Sequence, residues 1–235
     1  MKNITKLWQH NLYNRSLYAI AIIALIGFVA VSCDNGDIHT HAYVWTVTCA
    51  TPYPAQSTGT CSCGETDGPR NTELGDTGPG GGKIFYISPA GFTVTGAAPF
   101  TAHYLEAAAD SQGSMPWSGT NANVSGITNV RAIGEGKKNT AAIIAAHSAD
   151  TAVNNAAKAA VAYRGGGKDD WFLPSQDEMM EIRRNPAAAG VPASGALCSS
   201  TQNSASGAQA GSLGGGGVTN YQKSTAQNVR AVRAF

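Results

Sequence analysis

The chain has 235 residues, of which 43% are hydrophobic, enough for a real core in one domain or in a domain with extensions. The formal charge is +1, but residues 1–32 contain three basic residues and no acid, so the rest of the chain has 13 basic against 15 acidic residues and a net charge of −2. This balance excludes the basic patch of a nucleic-acid-binding protein, and 28 glycines predict short elements joined by many loops.

Residues 1–32 have the pattern of a signal peptide. Residues 17–31 form an uncharged stretch of fifteen residues, which is in the range of a signal-peptide core and short of the roughly 18 apolar residues of a spanning helix. The stretch ends in Ala30-Val31-Ser32-Cys33, which is similar to a bacterial lipobox. We therefore predict a lipoprotein, with acylated Cys33 as the mature N-terminus and the membrane bound through its lipids. An uncleaved anchor and ordinary secretion are the alternatives.

Residues 33–74 have the composition of a tether. They are rich in Thr, Gly, Ser and Pro, and only residues 42–49 have the pattern of a strand, so the sequence predicts at most a small hairpin module.

Three cysteines of this tether are candidates for a disulfide. Export would place them in a compartment where disulfides persist, and Cys49 could pair with Cys61 or Cys63. Free thiols and a metal site are the alternatives, although a single residue between Cys61 and Cys63 is shorter than the usual zinc spacing. We expect the nearby His39 and His41 to be solvated rather than to be ligands.

A globular domain is predicted over residues 75–235. Its glycine-rich segments at 75–82 and 134–136 lack the spacing of a phosphate-binding loop and are predicted turns. Strands are predicted at 83–88, 91–94 and 103–107, with a turn at 88–91.

A long loop is predicted between residues 110 and 136. Its one large side chain, Trp117, either pins the loop to the core or contacts a ligand. Tyr221 is the second candidate for ligand contact.

Helical periodicity runs through residues 139–163, with an interruption near 148–150. Asn139 or Thr140 is the predicted N-cap, and His147 is predicted at the end of the first run, where an imidazolium suits the helix dipole.

A corner between a strand and a helix is predicted at residues 171–178. Trp171 begins a compact apolar run, and Pro174 excludes a helix before it. Ser175 and Glu178 have the spacing of a capping box, so a helix should begin at Ser175 and end before Asn185-Pro186. We interpret this junction as structural.

After the segment ALCSST at 196–201 and a glycine-rich stretch at 204–217, the chain ends in predicted strands at 218–222 and 228–235. We expect the last strand to lie inside the sheet. Arg230 and Arg233 on it cannot be buried unpaired. We expect both to meet acids of the corner, namely Asp169, Asp170 or Glu178.

Six motifs in residues 75–235 resemble the Lcl C-terminal domain family of bacterial surface and secreted proteins: GDTGPGGGKIFYI, YLEAA, IGEGKKNT, DDWFLPSQDEM, CSST and VRAVRAF. The resemblance implies an α+β, C-type-lectin-like fold, related also to formylglycine-generating enzymes, with two helical regions packed on short, irregular antiparallel strands. It suggests surface binding, in some members to sulfated polysaccharide or host matrix.

The chain differs from the proteins it resembles at their catalytic and ligand-binding positions. A formylglycine-generating mechanism looks like it needs a cysteine pair holding copper, and the domain has only Cys198. The calcium-binding triplets of sugar-binding lectins are missing from the loops. Leu197-Cys198 replaces an aromatic pair, and residues 204–220 contain no aromatic residue to stack on a sugar.

We therefore predict a non-enzymatic, lipid-anchored envelope protein, exposed to the periplasm or the cell exterior, that binds a glycan or a protein partner without a cofactor. A structural or variable surface module is the first alternative. The second is a hydrolase that uses Ser199 or Ser200 with His103 or His147, although no nucleophile elbow is present.

Overall fold

The computed structural model describes residues 41–148 and 154–235, and these have a mixed α+β architecture, as predicted. The predicted lipidation site Cys33, the predicted signal peptide and His39 lie outside the described residues. Among the described residues, no helix has both the length and the hydrophobicity that crossing a bilayer requires.

The described elements are short. The strands are β1 (Tyr43–Cys49), β2 (Gln56–Cys61), β3 (Thr66–Asn71), β4 (Lys83–Val94), β5 (Phe100–Ala107), β6 (Ser114–Pro116), β7 (Ala196–Gln202), β8 (Gly207–Ser212), β9 (Val218–Gln222), β10 (Ala226–Asn228) and β11 (Val232–Ala234). The helices are α1 (Gly136–Ala146), α2 (Ala156–Ala162) and α3 (Gln176–Arg184).

The chain divides into two compact units. Among the described residues, the first comprises residues 41–44 and Gly59–Asp67, and the second comprises Trp45–Thr58 and Gly68–Phe235 apart from residues 149–153. The second unit therefore includes residues on the N-terminal side of the predicted boundary at 75.

The predicted tether contains more regular structure than one hairpin. Strands β1, β2 and β3 form a three-stranded sheet in that order. Burial alternates along β2, where Ser57 is buried between two half-buried neighbours. The side chains of β2 are mostly Ser and Thr, so its buried positions give no alternation of hydrophobic and polar residues. For this reason only β1 could be recognised as a strand from the sequence.

Strands β4, β5 and β11 form an antiparallel sheet in the order β11–β5–β4. The predicted strands at 83–88 and 91–94 are one strand, because the expected turn is an irregularity in the β4–β5 register between Ile87 and Phe92. Gly91 has a φ of +75° there, which suits a bulge.

The remaining strands form a five-stranded sheet in the order β6–β10–β7–β8–β9. Strand β8 lies in the glycine-rich stretch that the sequence left without structure, and β6 lies in the predicted long loop. Gly211 of β8 faces Met179 of α3, whose Sδ would be 2.6 Å from an added Cβ. The small residue therefore lets the helix pack directly on the strand.

The predicted terminal strand at 228–235 is broken in two. Asn228 of β10 pairs in parallel with Leu197 of β7, whereas β11 pairs with β5 in the other sheet. Between them, the amide of Ala231 donates to Gln112 Oε1 at 2.6 Å. The chain thus changes sheets within three residues, which a periodicity argument cannot detect.

The two helical runs at 139–163 are confirmed as α1 and α2, and His147 is the C-cap of α1. The predicted N-cap of α1 is wrong: the helix begins at Gly136. Thr140 instead donates its hydroxyl to the Gly136 carbonyl at 2.7 Å, and the Asn139 amide group donates to the Val130 carbonyl at 2.8 Å. Both side chains lie within the first turns and tie them to the domain.

Buried side chains connect the elements of the second unit. One core joins β4, β5, β7 and β11 to α3. A second core surrounds Trp171, and a third surrounds Trp117 beneath α1.

Candidate functional site

The predicted capping box at the start of α3 is confirmed. The Ser175 hydroxyl accepts from the Glu178 amide at 3.3 Å, and Glu178 Oε2 accepts from the Ser175 amide at 2.7 Å. The carboxylate also accepts from the Gly134 amide at 2.8 Å. Burial raises the pKa of the Glu178 carboxyl to about 7, against the opposing effect of these amides. Glu178 thus closes the loop that precedes α1 onto α3.

The corner and the C-terminal strand are joined by backbone. Phe172 and Val232 exchange two hydrogen bonds of 2.9 Å each. The Pro174 carbonyl accepts from the Ser200 amide at 2.7 Å, and the buried indole of Trp171 donates to the Gly165 carbonyl at 3.3 Å. The corner residues therefore have structural partners. Val232 is paired on both sides, but β11 otherwise lies at the edge of its three-stranded sheet and not inside it, where the last strand was expected.

Arg233 holds two acids together. Its Nε donates to Asp170 Oδ1 at 2.5 Å and its Nη1 donates to Glu106 Oε1 at 2.9 Å. The predicted pairing with Asp170 is confirmed, while the pairing with Glu106 was not predicted. Glu106 also accepts from the amides of Gly80 and Gly82 at 3.0 and 3.2 Å. Burial raises the pKa of the Glu106 carboxyl against the effect of Arg233 and these amides.

The predicted acid partner of Arg230 is wrong. Its guanidinium donates through Nη1 to the carbonyls of Ala108 and Ala109 at 2.8 and 2.9 Å. The change of sheet at residues 229–231 directs this side chain to the end of β5, away from the corner.

A groove lies beside the corner, between α1 and residues 169–172, and has a volume of about 400 Å³. Ala141, Ile144 and Ala145 of α1 form one wall. The other residues that line it are Lys137, Thr140, Ser148, Val161, Asp169, Asp170, Trp171 and Phe172. The lining is mostly apolar, with one lysine and two aspartates as its charged members. Such a concavity suits an apolar group that carries polar or charged neighbours.

The sequence did not identify this groove. Ala141 and Ala145 are exposed, four residues apart on α1, and so lie on one face. In the sequence, the only indication of the groove was a helix face made of alanines. The other wall, at residues 169–172, is distant in the chain and could not be inferred from it.

The structure decides between the two roles predicted for Trp117. Its side chain is 0% exposed, and its indole donates to the Ser199 carbonyl at 3.0 Å. Trp117 therefore pins its loop to the core and is not a surface contact. Tyr221 is half-buried against the same core and its hydroxyl is buried, so the structure does not place this side chain as an open ligand contact either. Burial raises the pKa of the Cys198 thiol to about 12, so Cys198 is an inert core residue.

A buried lysine was missed altogether. Lys223 Nζ lies 4.3 Å from the ring centroid of Trp117 and donates to Gln202 Oε1 at 2.7 Å and to the Ala122 carbonyl at 2.8 Å. Desolvation lowers the pKa of Lys223 to about 8. Nothing in the local sequence distinguishes this lysine from a solvated one.

The residues of the hydrolase alternative are not brought together. Ser199 and Ser200 are fully buried in β7, and the Ser199 hydroxyl donates to the Gln209 carbonyl at 2.9 Å. His103 stacks on Tyr53 at 4.4 Å and donates from Nδ1 to the Ser88 carbonyl at 2.8 Å. Among the hydrogen bonds of residues 41–148 and 154–235, none joins either serine to a histidine.

The predicted disulfide is not formed, because Cys49, Cys61 and Cys63 are all free thiols. Cys49 is exposed, and its thiol donates to the Thr51 carbonyl at 3.0 Å. His41, expected to be solvated, is buried, and its Nδ1 lies 3.1 Å from Cys63 Sγ. A hydrogen bond from Cys63 lowers the pKa of the Cys61 thiol to about 6 and raises that of Cys63.

No protein-family model matches the chain, and a search of curated proteins finds no matching sequence.

Proposed function

We propose that this is a lipid-anchored bacterial envelope protein without enzymatic activity, whose C-type-lectin-like domain binds a protein partner through the groove between α1 and residues 169–172. The groove is the observation that carries the proposal. The mixed α+β architecture and the strand-to-helix corner at Pro174 support the lectin-like assignment.

The chemistry of the groove favours a protein partner over a glycan. Sugar recognition commonly uses an open aromatic face on which a ring can stack, but Trp117 is fully buried and Trp171 is only 1% exposed. Ala141, Ile144 and Ala145 offer instead a wall of aliphatic side chains. An apolar side chain of a partner would be desolvated there, and its neighbours could reach Lys137 or Asp169.

Anchoring is the second part of the proposal. Acylation of Cys33 would hold the domain at a membrane, outside the cytoplasm. Metabolic labelling with a palmitate analogue tests this, since the wild-type chain should be labelled and the Cys33→Ala variant should not; label that survives the substitution contradicts it.

Binding is tested with the chain from residue 34 onward, applied to arrays of envelope and matrix proteins and of glycans. We expect a protein ligand whose binding is lost in Ala145→Arg, because the new side chain fills the groove. Ala146→Arg is the matched control, since Ala146 is also exposed on α1 but does not line the groove.

The alternative of a structural surface module predicts a blank array with both sets of ligands. A glycan bound equally by the wild type, Ala145→Arg and Ala146→Arg would contradict the assignment to the groove.

A further inference from the structure

Three side chains with metal-binding atoms converge in the first compact unit. The ligand atoms of His41, Cys61 and Cys63 all lie within 4.8 Å of one another. Of these atoms, His41 Nδ1 and Cys63 Sγ lie 3.1 Å apart. Two sulfurs and one imidazole nitrogen at this spacing form a potential set of metal ligands, and none of the three residues lines the candidate groove.

The backbone around the two cysteines is a tight turn, which explains how so short a spacing works. Cys61 ends β2, its amide donates to the Glu65 carbonyl at 2.8 Å, and its carbonyl accepts from the Gly64 amide at 2.9 Å. Gly64 has a φ of +93°, a conformation that favours glycine. The turn folds Cys63 back beside Cys61, so that one intervening residue suffices.

His41 is also held in place. It is buried, and its ring stacks on that of Tyr43 with centroids 5.8 Å apart. An imidazole oriented by packing loses little freedom when it binds an ion, which favours binding by a preformed site.

The distances suit a tetrahedral ion. With Zn–S bonds of about 2.3 Å, a tetrahedral zinc ion holds its two sulfurs about 3.8 Å apart. The upper limit of 4.8 Å in the cluster is therefore within about 1 Å of what zinc requires, a change that side-chain rotation can supply. Thiolate and imidazole together select Zn²⁺ over the hard cations Mg²⁺ and Ca²⁺, which take oxygen ligands.

We propose that His41, Cys61 and Cys63 form a Zn²⁺ site with three protein ligands and a fourth position for water. Both cysteines bind as thiolates, with release of whatever protons they still carry, and the imidazole binds in its neutral form. The bound ion would cross-link His41 to the turn at residues 61–65 and would protect both thiols from oxidation.

The test uses the reduced full chain in detergent, titrated with Co²⁺ as a spectroscopic probe and then with Zn²⁺. We expect one equivalent of Co²⁺ to give the visible absorption of a tetrahedral ion and the near-ultraviolet band of thiolate coordination, and Zn²⁺ to displace it. Loss of a ligand in Cys63→Ser or His41→Ala should weaken binding by more than about tenfold, since even outer-shell changes can cost that much.

Cys49→Ser is the matched control, because Cys49 is an exposed free thiol outside the cluster. Its affinity should equal that of the wild type. Cys63 is exposed as well, so Cys63→Ser should leave folding intact even if His41→Ala does not, and circular dichroism checks this.

Three results would overturn the proposal. The first is the absence of thiolate-to-cobalt absorption in the reduced wild type. The second is an equal loss of affinity in Cys49→Ser and Cys63→Ser. The third is a Cys61–Cys63 disulfide that persists, by mass spectrometry, when the protein is purified with excess Zn²⁺. None of these results depends on the groove.

Discussion

Replacing Arg233 by methionine should destabilise the domain strongly, because Arg233 is the cation that compensates a fully buried carboxylate. Glu106 is 0% exposed and the Arg233 side chain 11% exposed, and their Nη1–Oε1 distance is 2.9 Å. Removing one partner of a buried ion pair costs about 3–5 kcal/mol, because the other charge is left uncompensated. The amides of Gly80 and Gly82 still bind Glu106, so we expect about 3 kcal/mol.

The second partner of Arg233 contributes less. Asp170 is 33% exposed, and solvent screens its charge, so Asp170→Asn should cost about 1 kcal/mol or less. Arg184→Met is the matched control, because Arg184 pairs with Glu181 on the surface and is 61% exposed. It should change the free energy of unfolding by about 0.5 kcal/mol at most.

The assay is equilibrium urea unfolding followed by tryptophan fluorescence, to which the buried Trp171 contributes. A double-mutant cycle with Glu106→Gln isolates the charge effect. Because the amide removes the uncompensated charge, the double variant should be more stable than the sum of the two single effects by about 1–3 kcal/mol. Additive effects, or a loss in Arg233→Met no larger than in Arg184→Met, would refute the reasoning.

Two further predictions concern Glu178. Glu178→Ala should cost about 2–6 kcal/mol, since it leaves the buried amides of Ser175 and Gly134 without an acceptor. Urea unfolding should show a loss far larger than that of Glu73→Ala, whose side chain is 70% exposed. The raised pKa also makes stability depend on pH. Between about pH 4.5 and 7 the folded state holds a proton on Glu178 that the unfolded state has released, so this contribution is present below pH 4.5 and is lost as pH rises through 7. The loss is about 3 kcal/mol. The free energies of unfolding at pH 5 and pH 8 should therefore differ less in Glu178→Gln than in the wild type, and an unchanged difference would contradict the assignment.

Local signals in the sequence were sufficient for the elements whose cause is local. The capping box of α3 depends on two side chains three residues apart. The α+β class follows from such elements, because their types and approximate order can be read without knowing how they pack. Helix α1 shows the limit of this approach: Thr140 has the character of an N-cap, yet its hydroxyl binds the Gly136 carbonyl inside the helix.

The strand register and the packing of the domain determined which groups Arg230 and Arg233 contact. The sequence required an acid for Arg233, and Asp170 met that requirement, but Glu106 lies 127 residues away and could be identified only from the pairing of β11 with β5. The change of sheet after Asn228 likewise turned Arg230 toward backbone carbonyls.

The sequence by itself determined the mixed class, the capped corner and the need of Arg230 and Arg233 for hydrogen-bond acceptors, because these follow from residue chemistry and short spacings. Only the tertiary structure decided that Trp117 is buried, that a groove opens beside α1 and that His41 meets Cys63. Each of these depends on which distant segments share a surface. Many alternative arrangements satisfy the same local preferences, and the packing of the whole chain selects among them.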